Sequence, residues 1–161
     1  ELETRVSEQA KEIGELRAMA NASEQYSRRT NVEIQGIPLT PNEDLRTILK
    51  DIAEKVNTEF SINDVQAVHR LPVKSDKTPT VLVQFVSVQA KDKWMRGRKT
   101  LRSVCASKGL PEGVFFNDNV TRHNKQLLWK TKVRAKERGY QFVWVKSGKI
   151  LVKKNPDASV L

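Results

Sequence analysis

The sequence predicts an α+β chain in three parts: a coiled-coil helix over 1–30, a β-α-β-β-α-β domain over 31–120, and a small helix-plus-β-hairpin domain over 121–161. Three observations predict it. Apolar residues recur at three- and four-residue spacing through the first two dozen positions, then switch to a period of two from Asn31. Two helical patterns, each opened by a capping signal, separate short runs of alternation further on. Near the end, two alternating runs flank Ser147-Gly148, the signature of a tight hairpin.

The first part is a heptad pattern. With Leu2 at position d, the a positions are Val6, Ile13 and Ala20, and the d positions continue through Gln9, Leu16 and Ser23. A lone helix cannot bury such a seam, so it calls for partner helices, as a dimer or trimer. Gln9 and Ala20 weaken the seam, and Gly14 costs about 1 kcal/mol relative to Ala. The segment therefore reads as the end of a longer rod, in keeping with a chain that begins at Glu1 rather than Met. A single surface helix packed on its own domain is the alternative.

In the second part, Val32-Glu33-Ile34-Gln35-Gly36-Ile37-Pro38 is the first strand. Pro41-Asn42-Glu43-Asp44 opens a helix with Asn42 as its cap, and Leu45, Ile48, Leu49, Ile52 and Val56 form its apolar face up to about Asn57. Strands follow at 65–71 and 80–86. A second helix begins after Ser87 with Val88, Ala90, Trp94 and Leu101 inward, and the last strand is 114–117. This order is the split βαβ arrangement of ferredoxin-like and RNA-recognition modules. Such modules read RNA with aromatic groups on the first and third strands. Here the corresponding positions hold Glu33, Thr80 and Leu82, so the sheet face is not expected to stack bases. Alternation puts Val114 and Phe116 inward and Phe115 outward, as a nucleic-acid contact or as an aromatic cover for the sheet.

Charge is unevenly spread. Lys+Arg number 29 against 19 Asp+Glu, a net charge of +10. Residues 1–30 are nearly neutral, with five basic and six acidic groups, whereas residues 113–161 carry eleven basic groups against three acidic, an excess of eight. A local excess of that size points to a polyanionic partner. A second cluster, Lys91, Lys93, Arg96, Arg98, Lys99 and Arg102, surrounds the second helix of the middle part and suits phosphates rather than base edges. Arg70 ends the second strand and borders a basic loop, Lys74-Ser75-Asp76-Lys77.

The last part opens with Thr121 as helix cap and Gly139 as its stop. Between them Lys125, Trp129, Lys132 and Lys136 share one stripe, Lys130, Arg134 and Arg138 a neighbouring one, and Leu128, Thr131 and Ala135 a narrow apolar face. Pairing Lys146 with Lys149 in the hairpin puts Val143, Val145, Ile150 and Val152 on a face toward the helix. Phe142, Trp144, Leu151, Lys146, Lys149 and Lys153 fall on the other. Aromatics interleaved with lysines are what single-strand binders use, although Phe142 and Trp144 serve equally as packing against the middle domain.

Arg28-Arg29-Thr30-Asn31-Val32-Glu33-Ile34-Gln35-Gly36-Ile37-Pro38, Val68-His69-Arg70-Leu71-Pro72, the strand at 81–85, Phe115-Phe116-Asn117-Asp118-Asn119-Val120-Thr121 and the segment 142–150 together resemble two groups equally. One is the LINE retrotransposon ORF1 proteins; the other is the insect and baculovirus few-polyhedra (FP) family. The LINE resemblance implies a trimeric, single-strand nucleic-acid chaperone that coats element RNA as a ribonucleoprotein, holding it between the middle and C-terminal domains. It implies Arg70, Arg122, Lys125, Lys132 and the hairpin lysines as cleft residues, with Phe115 where mammalian relatives carry an arginine. The FP resemblance implies a viral or virus-derived protein and leaves its biochemical role open.

The expected nucleic-acid contacts are thus Arg70, Lys91, Lys93, Arg98, Lys99, Phe115, Arg122, Lys125, Lys132, Lys136, Trp144, Lys146, Lys149 and Lys153. The expected self-association residues are Leu2, Val6, Gln9, Ile13, Leu16 and Ala20. The partners are single-stranded RNA or DNA and further copies of the chain, with no membrane, metal or cofactor. Catalysis is not expected. Gly36-Ile37-Pro38 lacks the glycines of a nucleotide-binding turn, His69 and His123 have no ligand cluster of metal spacing, and no nucleophile elbow is present. The alternatives are an oligomeric protein–protein scaffold and an RNA-modifying enzyme with an unrecognised cofactor site. The single Cys105 excludes an internal disulfide and fits a reducing compartment, cytoplasmic or nuclear.

Overall fold

The computed structural model describes residues 1–74, 76–107, 109–111 and 113–161, with Arg102 and Ala106 described by their backbone alone. Ser75 of the expected basic loop and the side chain of Arg102 in the expected basic cluster thus lie outside the described residues. The chain is α+β and forms two compact units, one made of Glu1–Arg29 with Val120–Leu161 and the other of Thr30–Asn119. Its elements are α1 (Leu2–Ser27), β1 (Asn31–Gln35), α2 (Leu45–Lys55), β2 (Val65–Arg70), β3 (Val81–Phe85), α3 (Val88–Met95), α4 (Leu101–Ser107), β4 (Phe115–Asp118), α5 (Arg122–Glu137), β5 (Phe142–Lys146) and β6 (Lys149–Lys153).

In the unit 30–119 the strands form one antiparallel sheet in the order β2-β3-β1-β4. Alternation decides its faces. Val32, Ile34, Val81, Val83, Phe85 and Phe116 are buried together with Leu49 and Ile52 of α2, Val56 just after it and Trp94 of α3. Trp94 is the centre of this core: Phe60 meets it edge-on at 5.2 Å, and Phe116 and Phe85 lie tilted at 5.1 and 6.0 Å. On the opposite face Glu33 stands between Leu82 and Asn117 in register. Gly36, at φ +86°, lies so close to Gly113 that a Cβ there would come within 2.2 Å of its carbonyl oxygen.

Three local expectations are corrected. The cap of α2 is Asp44, not Asn42: the Asp44 carboxylate accepts from the Arg46 N–H at 3.1 Å and the Thr47 hydroxyl at 2.7 Å. Asn42 instead adopts φ 53° in the preceding turn, a conformation Asn tolerates better than most residues. Val88 is exposed, because the first turn of α3 projects it away from the sheet while Ala90 and Trp94 turn inward. The second helix is also not continuous, since a 3₁₀ turn at Arg96–Lys99 divides α3 from α4. Its cause is tertiary. The Thr58 hydroxyl donates to the Lys93 carbonyl at 2.6 Å and the Thr100 hydroxyl to the Val56 carbonyl at 3.0 Å. Gly97 packs against Val56, leaving 2.8 Å to the place a Cβ would occupy.

In the other unit, Thr121 caps α5 by accepting from the Asn124 N–H at 3.1 Å. The helix stops at Gly139 with paired closing bonds, Tyr140 N–H to Ala135 C=O at 2.8 Å and Gly139 N–H to Lys136 C=O at 3.4 Å. Ala135 is buried and Leu128 and Thr131 are half-buried, as the narrow apolar face requires. β5 and β6 pair in the expected register, Val143 with Val152 and Lys146 with Lys149. Ser147 and Gly148 both take positive φ, 52° and 74°, the geometry that matches a two-residue turn to the strand twist.

Candidate nucleic-acid interface

Two of the expected contacts are structural instead. Arg70 directs its guanidinium into its own unit. Nε donates to Glu43 Oε1 at 2.9 Å and Nη2 to Glu43 Oε2 at 2.8 Å. Nη1 donates to the carbonyls of Ile37 and Pro79 at 2.8 and 2.7 Å, and Nη2 to that of Pro38 at 3.1 Å. These bonds clamp the turn after β1 to the end of β2 and spend the donors a phosphate would use. The Arg70 hydrogen bonds hold the Glu43 carboxyl below its ordinary value of 4.5. Lys91 is buried, with its ammonium 2.6 Å from Asp118 Oδ1 on β4, so it pins α3 to the sheet edge rather than facing solvent. Spacing alone could not separate these two cations from their exposed neighbours, because what decides them is a carboxylate remote in sequence.

The rest of that cluster is outward. Arg96, Arg98 and Lys99 are exposed on the 3₁₀ turn that Gly97 seats on Val56 and Thr58, just past α2. Lys93 lies 3.9 Å from Glu59 in a loose surface pair. The sheet face opposite the core is no stacking platform. Glu33 is buried there and accepts from Asn119 Nδ2 at 2.9 Å, in register with Leu82 where reading modules carry aromatics. Phe115, at 57% exposure, points outward from the edge strand β4 while Phe116 is fully buried.

The unit 1–29/120–161 carries the larger basic surface. Arg122, Lys125, Lys132 and Lys136 are all exposed on α5, together with Lys130 and Arg134. Lys146 and Lys149 are exposed beside the hairpin turn, Trp144 and Lys153 are half-buried on the strands, and Phe142 is exposed. Among the described residues, Lys130, Lys132, Arg134, Lys136, Lys146 and Lys149 make no ion pair. Lys146 and Lys149 moreover face each other across the ladder, a like-charge pairing that costs stability until an anion lies between them.

α1 joins this surface through its last turns, a contact that no local pattern signals. Asn21 Oδ1 accepts from the Thr121 hydroxyl at 2.7 Å, and Asn21 Nδ2 donates to Asn124 Oδ1 at 3.1 Å. Gln25 Oε1 accepts from the Thr121 N–H at 3.0 Å and from Asn124 Nδ2 at 2.9 Å. Arg28 donates to the Val120 carbonyl at 3.3 Å and pairs with Glu24 at 2.7 Å. At the hairpin turn Gly148 lies against the same Gln25 side chain, where a Cβ would stand 2.7 Å from Cγ. Before Asn21 nothing in the helix is even half-buried. Leu2, Val6, Gln9, Ile13, Leu16 and Ala20 are all solvent-facing, so residues 2–20 are not a surface helix packed on its own domain.

Residues 29–106 match the family model of Baculovirus FP protein domain 1, and residues 121–161 match Baculovirus FP protein domain 2. The chain belongs to the baculovirus FP protein family. Domain 1 begins where α1 has ended and takes in the sheet through β3 with α2, α3 and most of α4. FP domain 2 begins on Thr121, the residue that caps α5, and holds the whole α5–hairpin basic surface. α1 precedes both matches. No curated protein matches the chain.

One residue of FP domain 2 stands out that the sequence reading put in a lysine stripe without giving it a contact. Trp129 is 67% exposed, well away from the Leu128–Thr131–Ala135 face. Its signal in the sequence is that it falls out of phase with that face. Among the described residues no helix is long and apolar enough to cross a membrane, and no group of His, Cys, Asp and Glu could hold a metal ion.

Proposed function

We propose that this FP-family chain is an oligomeric, single-strand nucleic-acid-binding protein, a coat or chaperone in the manner of LINE ORF1 proteins. It holds its strand mainly through phosphates and performs no catalysis. The observation that carries the reading is the set of exposed cations on α5 and the hairpin that make no ion pair, with Lys146 and Lys149 held face to face. Neutralising phosphates there releases counterions, so affinity falls steeply with salt and depends little on sequence. The apolar seam of α1, exposed from Leu2 to Leu16, supports self-association, through which several weak phosphate sites gain effective concentration.

The test is a salt titration of single-stranded RNA binding by fluorescence anisotropy. Replacing Lys125, Lys132 and Lys149 together by alanine is expected to weaken binding and to flatten the log K against log salt slope by about two units, near 0.7 for each lost contact. Unchanged affinity and slope would sink the reading. The same exposed seam also favours a scaffold that gathers copies of the chain without binding nucleic acid. That reading requires negligible affinity for any strand at moderate salt while the oligomer persists.

A further inference from the structure

The outward face of α5 carries more than phosphate-neutralising charge. The geometry points to Trp129 as a base-stacking platform, which makes FP domain 2 selective for single strands over duplex. This inference rests on the nucleic-acid reading above and adds to it the group that engages the bases.

Trp129 lies at the middle of a helix of 16 residues, and its ring is left in solvent while Leu128 and Ala135 supply the packing. Grooves open on either side of it. One is lined by Leu127, Lys130, Val133, Arg134 and Glu137 along with Trp129, the other by Lys125, Gln126 and Lys130 with the same indole. Positions three and four residues away on a helix are its surface neighbours, so Lys125, Lys132 and Val133 surround the indole. An apolar partner would be poorly served by a rim of ammonium groups. A flexible polyanion that also carries flat π surfaces is served by both parts: a base lies on the indole while flanking phosphates reach the lysines. Glu137 is the one carboxylate on this helix; it lines the first groove about two turns from Trp129, where Lys130 and Arg134 outnumber it. In a duplex the bases are already stacked and paired, so only the phosphates remain for this face.

The test uses the full chain, a short labelled single-stranded RNA and the duplex of the same sequence. Trp129→Ala is expected to weaken single-strand binding about five- to 150-fold, the span found for removing one stacking aromatic. The salt slope should stay as in the wild type, because no ionic contact is lost. Trp129→Phe should restore most of the affinity, and duplex binding should not move. Because Trp129 is exposed, an unchanged melting curve will show the variant folded. If Trp129→Ala binds single strands like the wild type while the lysine replacements weaken binding, the platform is wrong and the phosphate reading stands. If Trp129→Ala weakens single strand and duplex equally and lowers the mass seen by light scattering, the face is a contact between copies and the platform is again wrong. No salt-dependent binding by the wild type would overturn both.

Discussion

Replacing Arg70 by methionine separates the two roles this residue could have. The change keeps the aliphatic stem and removes all five hydrogen bonds at once, two to Glu43 and three to the carbonyls of Ile37, Pro38 and Pro79. Both side chains of the ion pair are largely buried, at 13% and 12% exposure, so the Glu43 carboxylate is left without its cation in a poorly hydrated place. Removing one partner of a buried pair costs about 3–5 kcal/mol. The Glu43 turn is at the surface and can admit water, which argues for the lower end, about 3 kcal/mol. For a unit the size of Thr30–Asn119 that is a fall of roughly 12–24 °C in Tm. Trp94, fully buried at the centre of that unit, reports the melt through its fluorescence. Below the transition, single-stranded RNA affinity and its salt slope should equal those of the wild type. If Arg70→Met left Tm within about 2 °C and weakened RNA binding tenfold, the clamp would be wrong and Arg70 would belong to the interface.

The remaining predictions concern pH, association and the junction of α1 with α5. Because the folded-state pKa of Glu43 lies below its ordinary 4.5, its contribution is complete above that value and is lost as the pH falls through the lowered one. Urea melts from neutral pH to pH 3 should therefore show the gap between wild type and Glu43→Gln closing only in acid; a gap that widened in acid would contradict the assignment. Leu16→Glu places a charge in the exposed seam of α1 and should lower the mass seen by light scattering, with Tm of the unit 30–119 unchanged. An unchanged mass for this variant would remove the seam from self-association. Thr121→Val loses the α5 cap and the bond to Asn21, at a cost of about 1–2 kcal/mol, and amide exchange in the last turns of α1 should accelerate. Protection that stayed as in the wild type would show that the Asn21–Gln25 network does not hold α1 in place.

Much of this protein is legible in its sequence because the relevant physics is local. The period-two runs place Val32, Ile34, Val81, Val83 and Phe116 inward since a strand turns alternate residues to opposite faces. Thr121 and Gly139 bound α5, and Ser147-Gly148 sets the hairpin register, since capping and turn chemistry depend on a few neighbouring residues. Charge density and the exposed heptads likewise need only composition and spacing.

Tertiary structure decided which of those residues are free to act. Arg70 and Lys91 look like their exposed neighbours until Glu43 and Asp118, 27 residues away in each direction from their partners, are folded against them. The break after α3 follows from Thr58, Thr100 and Gly97 meeting across a packed surface. The seating of α1 on Thr121 and Asn124 joins side chains about a hundred residues apart in sequence. Trp129 acquires its meaning in the same way: its identity is in the sequence, but that it is left in solvent among lysines depends on which face of α5 the hairpin covers. A charge advertises itself along the chain; whether it is spent internally or offered to a partner depends on what the fold brings beside it.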